Sequence, residues 1–511
     1  MPRWTQTARL IVVVCLTSAQ TTYSAQSSST IAGVVVENET NQPLAGVQIT
    51  LSPTEPAVSR RQPVITDAQG RFVIETNQTG RIRVVPAKNG FISYIPGENR
   101  APYLPGAWLQ VSAGMRRQGL ELRMARQAVI SGRVLGGLPR THAAALLRHT
   151  YGKDGKFALR IFLGIGGNDL LNDLGEFRFY GLPAGEYYVG IVSLDPARVD
   201  HGKYLYYPRL TTEETLAVPI RVATGEEVRL GTLQPPPRQK DVELKVRVTA
   251  PVERLSASVE IGNTGVAVRS ESNSGEKVLR VLPGHYDLRG THPDSLAPTH
   301  YAALPIDVGS SDITQDIELK PAAIVTGRIF LESAGGERTA APPSIRCTVD
   351  GLQARRCPNL RLVPKVYELD FEELPSDTYV LSVTSDSHDI LEEGLNVTGN
   401  MNLEIVLGQP GAIVSGTVRT AEGAALPHAS VALAPDAPYR ATGLRYRSVI
   451  TDPDGKFEIH GIAPGSYKLF AWPELAGAAY RNAEFMREFE ERGRPVNVEK
   501  GARYSVDLTS F

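Results

Sequence analysis

Nine histidines are spread through the 511 residues, and their spacing is the first test for chemistry. A catalytic zinc takes three protein ligands, usually histidines with a carboxylate close by in sequence. None of the nine forms H-x-x-E or H-E-x-x-H. The nearest approach is His388-Asp389-Ile390-Leu391-Glu392, a helical spacing in a stretch that reads as a loop. No G-x-S-x-G nucleophile elbow occurs. Gly164-x-Gly166-Gly167 lacks the strand-to-helix setting of a phosphate loop and reads as part of a flexible insert. Asp452-Pro453-Asp454-Gly455 resembles the start of a calcium loop, but the twelfth position is Ala463, so the bidentate carboxylate is missing. The expectation is a protein without catalytic residues, bound metal or cofactor.

Aromatic residues and two cysteines remain. Tyr204-Leu205-Tyr206-Tyr207-Pro208 follows a strand-like run, and Tyr94, Tyr103 and Trp108 fall in the matching part of an earlier repeat. Exposed rings stack on sugar faces. Alternation puts Tyr204 and Tyr206 on one side and Tyr207 on the other, so at most two share a platform. The competing account is that these rings seal contacts between domains. Cys347 and Cys357 flank an Asp350-Gly351 turn, and in an exported protein such a pair is a natural disulfide.

The elements that position these residues repeat along the chain. In Thr451-Asp452-Pro453-Asp454-Gly455-Lys456-Phe457-Glu458-Ile459, a turn is followed by a half-buried strand of period two. A second turn, Ala463-Pro464-Gly465, leads to a returning strand with Tyr467 and Leu469. The unit reads as a β-hairpin. It recurs around Gly70 and Gly80 and around Gly175 and Gly185, always ten residues from first turn glycine to second. Leu282-Pro283-Gly284-His285-Tyr286 is one residue shorter. Leu374-Pro375-Ser376-Asp377-Thr378-Tyr379 reads as the fourth unit's version, with Asp377 in the glycine position.

A second signature opens each domain. It is an apolar strand carrying Gly33, Gly132, Gly327 or Gly416, at intervals of 99, 195 and 89 residues. The middle interval is a double period, and Val242–Val248 fills it without a glycine. The period is too long for a solenoid. Short strands with turn signals every 8–12 residues point to an all-β chain, a tandem array of about five β-sandwiches. The divisions are 26–126, 127–238, 239–320 (the divergent one), 321–409 and 410–511. Stiff linkers such as Gln234-Pro235-Pro236-Pro237 favour a rod. Unit two carries an insert around residues 149–174. Unit five carries one helix, 482–492, capped by Asn482, ended by Gly493, with Phe485, Met486 and Phe489 on its inner face.

The N-terminus has the layout of a secretory signal peptide, 1–25. Arg3 and Arg9 precede an apolar run at 10–16, and Ala19 and Ala25 offer cleavage sites. No later run approaches a membrane span. Hydrophobic content of 42% and charged content of 21% are ordinary for globular domains, and the formal net charge of −1 argues against nucleic acid or an anionic membrane as main partner. The expected location is secreted or periplasmic.

The Gly-bearing first strand, the Pro43-Leu44-Ala45-Gly46 turn, the Thr-Asp-x-x-Gly-x-Phe stretch and the Leu-Pro-x-Gly-x-Tyr turn resemble the carboxypeptidase regulatory-like domain, a transthyretin-like or prealbumin-like sandwich. Units one, two and five carry most of the resemblance, unit four part, and unit three only its Leu282-Pro283-Gly284 turn. The resemblance implies a non-catalytic accessory module found beside peptidases, in surface proteins and at the start of outer-membrane receptors, and similar to starch-binding domains. The expected function is an exported, non-catalytic binding or scaffold protein of the cell envelope, with a polysaccharide or an envelope protein as partner. The rivals are a carbohydrate-binding protein and an accessory part of a peptidase or outer-membrane receptor system.

Overall fold

A computed structural model describes residues 28–53, 63–93, 107–136, 142–162, 171–193, 204–211, 213–235, 242–252, 257–262, 268–272, 275–281, 283–292, 298–341, 345–349, 352–353, 359–372, 374–375, 377–385 and 388–511. The signal-peptide region, Tyr94, Tyr103, Gly164–Gly167 and Cys357 lie outside them. So does the side chain of Cys347, whose backbone is in the strand Arg346–Val349.

The described residues are almost all strand, and one plan recurs five times. The opening strand of each unit lies between an antiparallel neighbour and the unit's last strand, which runs parallel to it. In unit one Ser29–Glu37 lies between Arg71–Thr76 and Arg116–Arg126. In unit two Ala128–Val134 lies between Glu176–Leu182 and Glu227–Leu233. Unit three places Val242–Thr249 between Glu276–Val281 and Ile313–Glu318. Unit four places Ala323–Glu332 between Leu360–Leu362 and Met401–Gly408. Unit five places Ala412–Arg419 between Lys456–Ile462 and Arg503–Ser505.

The strand pair expected to be a hairpin is not one. Lys456–Ile462 pairs with the opening strand, whereas Gly465–Trp472 pairs with Ser430–Pro435 in the facing sheet. Units one, two and three do the same with Gly80–Ala87, Gly185–Ser193 and Gly284–His292. The second turn is therefore an arch that carries the chain across the core. A strand with one face buried alternates identically in a hairpin and in an arch, so periodicity does not separate them. The arch is braced from inside. Tyr187 and Tyr467 are buried, and their hydroxyls donate to the carbonyls of Pro183 and Ala463, four residues back, at 2.8 and 2.9 Å.

This brace relocates the motif of unit four. Tyr367 is buried and donates to Val363 O at 2.9 Å, so the arch is Leu362-Val363-Pro364-Lys365-Val366-Tyr367. Register agrees: Gly80, Gly185, Gly284, Lys365 and Gly465 stand opposite Val111, Val222, Val308, Val397 and Val498. Lys365 holds the glycine position, which hid the motif. The Leu374–Tyr379 stretch instead leads into Tyr379–Ser385, which joins the sheet of the opening strand.

The opening glycines have a steric cause. A Cβ on Gly33, Gly327 or Gly416 would sit 2.0 Å from the carbonyl oxygen of Leu120, Leu403 or Val506. A Cβ on Gly132 would sit 2.6 Å from the Phe177 ring, and the rings of Phe72 and Phe457 approach Gly33 and Gly416 in the same way. In unit three both partners change together: Val246 pairs with Lys277, which is 2% exposed. Each unit has its own apolar core. Unit five adds a second cluster of Ala432, Tyr446, Phe470, Trp472 and Met486 on the outer face of its Ser430–Pro435 sheet.

The helix of unit five is shorter than expected. Asn482 caps it, accepting from Phe485 N at 2.9 Å, but the α-helix is only Ala483–Met486, followed by a 3-10 turn at Glu490–Arg492. Gly493 is extended rather than left-handed, and is glycine because the Phe470 ring lies 2.6 Å from where its Cβ would be.

Replacing Gly416 with Ala drives a Cβ onto a backbone carbonyl. It should lower stability by about 2–3 kcal/mol in denaturant unfolding. Gly309→Ala, where a Cβ meets open space, should change it by less than about 0.5 kcal/mol.

Candidate binding site between units two and five

The insert of unit two is in part a hairpin. His142–Tyr151 pairs with Phe157–Ile161, and the turn at Gly152–Gly155 reaches unit five. Contact there is backbone-close. A Cβ on Gly477 would lie 2.1 Å from Tyr151 O, and one on Gly155 would lie 2.9 Å from Arg481. Asn482 Nδ2 donates to Gly155 O at 3.0 Å, and Arg481 Nη1 donates to Lys153 O. The other end of the Arg481 guanidinium pairs with Glu368 of unit four at 2.7 Å, with its side chain 10% exposed. One arginine thus touches three units. Unit four is also entered by unit five's Leu444, which joins its core, and by Thr442, whose hydroxyl donates to Leu391 O at 2.6 Å.

Unit five reaches unit one as well. Arg117 makes a two-pronged contact with Asp454, at 3.1 and 2.8 Å. Its hydrogen bonds hold the Asp454 carboxyl below its ordinary range. Asp452 meanwhile accepts from Asp454 N and Lys456 N. The stretch that looked like a calcium loop is a turn plus an interdomain grip. The expected rod is corrected by these contacts: unit five folds back on units one, two and four. Short linkers alone did not predict this, because the contacts come from loop tips.

Between the hairpin of unit two and the capped helix lies a cleft of about 500 Å³, lined by Tyr151, Phe157, Asn482, Glu484, Phe485, Arg487 and Glu488. Tyr151 links the rings of the two units, with its centroid 4.8 Å from Phe157 and 5.6 Å from Phe485. Phe157 also stacks on His149 at 5.2 Å and 16°, yet stays 55% exposed. A large apolar ring left open beside hydrogen-bonding side chains is what a ligand cleft requires.

The rings expected to form a platform lie elsewhere. Tyr206 is 8% exposed, and burial pushes its hydroxyl up to about 12. Tyr207 packs against the core of unit two. Tyr204 lies over Gly190, where a Cβ would be 2.9 Å from its ring. The trio packs within unit two rather than presenting a shared open face. His388, the nearest approach to a metal motif, is in a two-residue strand with its Nε2 3.4 Å from Glu393. Among the described residues no group of three or more His, Cys, Asp or Glu side chains stands together, and no helix is long and apolar enough to cross a membrane. Phe157 was missed by sequence because it reads as one more alternating strand residue.

Comparison with known proteins adds one assignment. Residues 413–509 match the carboxypeptidase regulatory-like domain. That segment is unit five, the one that grips the others. No curated protein matches the chain. Among solved structures, the full-length RrgB pilus protein of Streptococcus pneumoniae is 8% identical, over 87% of this chain and 90% of its own, with a TM-score of 0.14. GBS52, the minor pilin of Streptococcus agalactiae, is 15% identical over 38% of this chain and 95% of its own, at 0.18. BcpA, the major pilin subunit of Bacillus cereus, is 10% identical over 58% and 100%, at 0.16. Scores this low carry nothing about what the present chain does.

Arg481→Ala should loosen unit five from units two and four. Small-angle scattering is expected to give a larger radius of gyration, with the strand signal in circular dichroism unchanged. A second outcome concerns pH. Glu490 accepts from Arg440 at 2.8 and 2.9 Å and from Lys468 at 2.8 Å, which brings its carboxyl down to about 2 from 4.5. A carboxyl held down in the folded state contributes stability above about pH 4.5 that is lost as pH falls towards about 2. Glu490→Gln should flatten the fall of melting temperature across that window.

Proposed function

We propose that the chain is an exported, non-catalytic binding and scaffold protein of the cell envelope, built from carboxypeptidase regulatory-like domains. The observation that carries this is the engagement of unit five with three others through Arg481–Glu368, Asn482–Gly155 and Arg117–Asp454. Such contacts hold modules in fixed relation, which is what a scaffold needs and what loose beads lack. Export rests on the Arg3, Arg9 and 10–16 pattern, and the Cys347–Cys357 disulfide belongs to the same proposal.

The second reading, carbohydrate binding, is favoured by the aromatic cleft. Phe157 and Tyr151 offer ring faces, and Glu484, Arg487 and Glu488 offer hydrogen-bonding groups beside them. Flat rings beside polar side chains suit a sugar, which has one apolar face and many hydroxyls. Pull-down on insoluble cellulose, chitin and xylan tests it. The expected outcome is retention on one of them, lost in Phe157→Ala with the melting temperature within a degree or two. Tyr206→Ala should instead lower the melting temperature, because that ring is buried. Failure of the unmodified protein to be retained on any of the three overturns the carbohydrate reading and leaves the scaffold.

A further inference from the structure

A second cavity, of about 310 Å³, lies between units four and five. Its walls are mixed: Phe371, Leu374, Pro375 and Val380 from unit four and Leu444 from unit five give an apolar side, and Thr378 stands among the polar groups. Its polar end is Arg447. The guanidinium donates to the carbonyls of Leu444 at 2.9 Å, Tyr446 at 2.8 Å and Gly461 at 3.4 Å. These acceptors are neutral; the charge of Asp370 acts on the guanidinium without forming an ion pair with it. Asp370 also lines the cavity; it is exposed, and its Oδ1 accepts from Phe371 N at 2.8 Å. His460, on the same rim, faces Glu458 at 3.4 Å.

We propose that this cavity binds the C-terminal carboxylate of a peptide chain whose last side chain is apolar. A guanidinium bonded only to carbonyls has no ion-pair partner, and a carboxylate is the partner whose geometry matches its fork. Burial disfavours the charged form of Arg447, so an arriving carboxylate restores what desolvation removes. The apolar side formed by Phe371, Leu374, Pro375, Val380 and Leu444 gives an apolar last side chain a contact that a sugar acid does not use. This site is separate from the aromatic cleft, with no lining residue in common. The competing account is that Arg447 only ties the loop at 444–446 to Gly461.

The test uses the full chain and saturation-transfer NMR with three probes: N-acetyl-Gly-Phe as free acid, the same peptide as its amide, and glucuronate. The free acid is expected to bind at least tenfold more tightly than the amide, and glucuronate is expected not to bind. Arg447→Gln should remove the advantage of the acid. Leu374→Trp adds bulk at a half-buried lining position, away from the carbonyls that Arg447 holds, and should abolish binding with the strand signal in circular dichroism retained. If Arg447→Gln fails to fold, the Leu374→Trp result decides. Phe157→Ala should bind the peptide normally, so this outcome is independent of any sugar result. Equal binding of acid and amide, tighter binding of glucuronate, no binding of the free acid, or unaltered binding by Leu374→Trp each overturns the proposal.

Discussion

Each unit is closed by one pairing, that of its first strand with its last, in parallel. Parallel pairing lets the strands in question come only from distant parts of the unit, since no short turn joins parallel neighbours. It also fixes where the chain leaves. The start of the first strand and the end of the last lie at opposite ends of the sheet, so successive units are passed along rather than folded back at the linker. The pairing sets a steric demand too. Where the last strand's carbonyl crosses the opening strand at Gly33, Gly327 and Gly416, no Cβ fits. The glycine that marks a domain's beginning is a record of how the domain ends.

The arch follows from the same closure. With the opening strand hemmed on both edges, the return strand cannot pair with it and crosses to the facing sheet. The crossing buries the residue two after the turn, and in four units that residue is tyrosine: Tyr187, Tyr286, Tyr367 and Tyr467. A buried hydroxyl is costly unless it is bonded. For Tyr187, Tyr367 and Tyr467 the carbonyl four residues back meets that need. Unit one uses Ile82, which has no hydroxyl to satisfy and is fully buried.

These constraints explain what was legible in the sequence. Glycine and tyrosine positions carry strong local demands, so the array, the all-β class and the kinship of unit five with the carboxypeptidase regulatory-like domain were readable. Hairpin against arch was not, because both give the same alternation. Unit four's arch was hidden by Lys365, which occupies a glycine position without a glycine's signature. Asn482 was legible as a cap because capping is local. Its helix is shorter than the sequence pattern, and Phe485 and Phe489 from that stretch pack on Trp472, a contact that no local signal reports. The aromatic cleft was illegible for a different reason: Tyr151 and Phe485 are more than three hundred residues apart, and the contacts of the turn at 151–155 with Gly477, Arg481 and Asn482 bring them together.

Unit five is then unlike the others in what it covers. Its Ser430–Pro435 strand is buried on both faces. One face packs on its own core, and the other lies under Phe470, Trp472, Met486 and the ring of Tyr151 from unit two. A sandwich standing alone leaves the outer faces of its sheets to water, with polar residues there. Unit five instead spends apolar residues on both sides, and so depends on a cover. The capped helix supplies part of that cover and unit two the remainder. The same surface that needs a partner therefore brings unit two onto unit five, and the aromatic cleft lies where those two closed sandwiches fail to fill space.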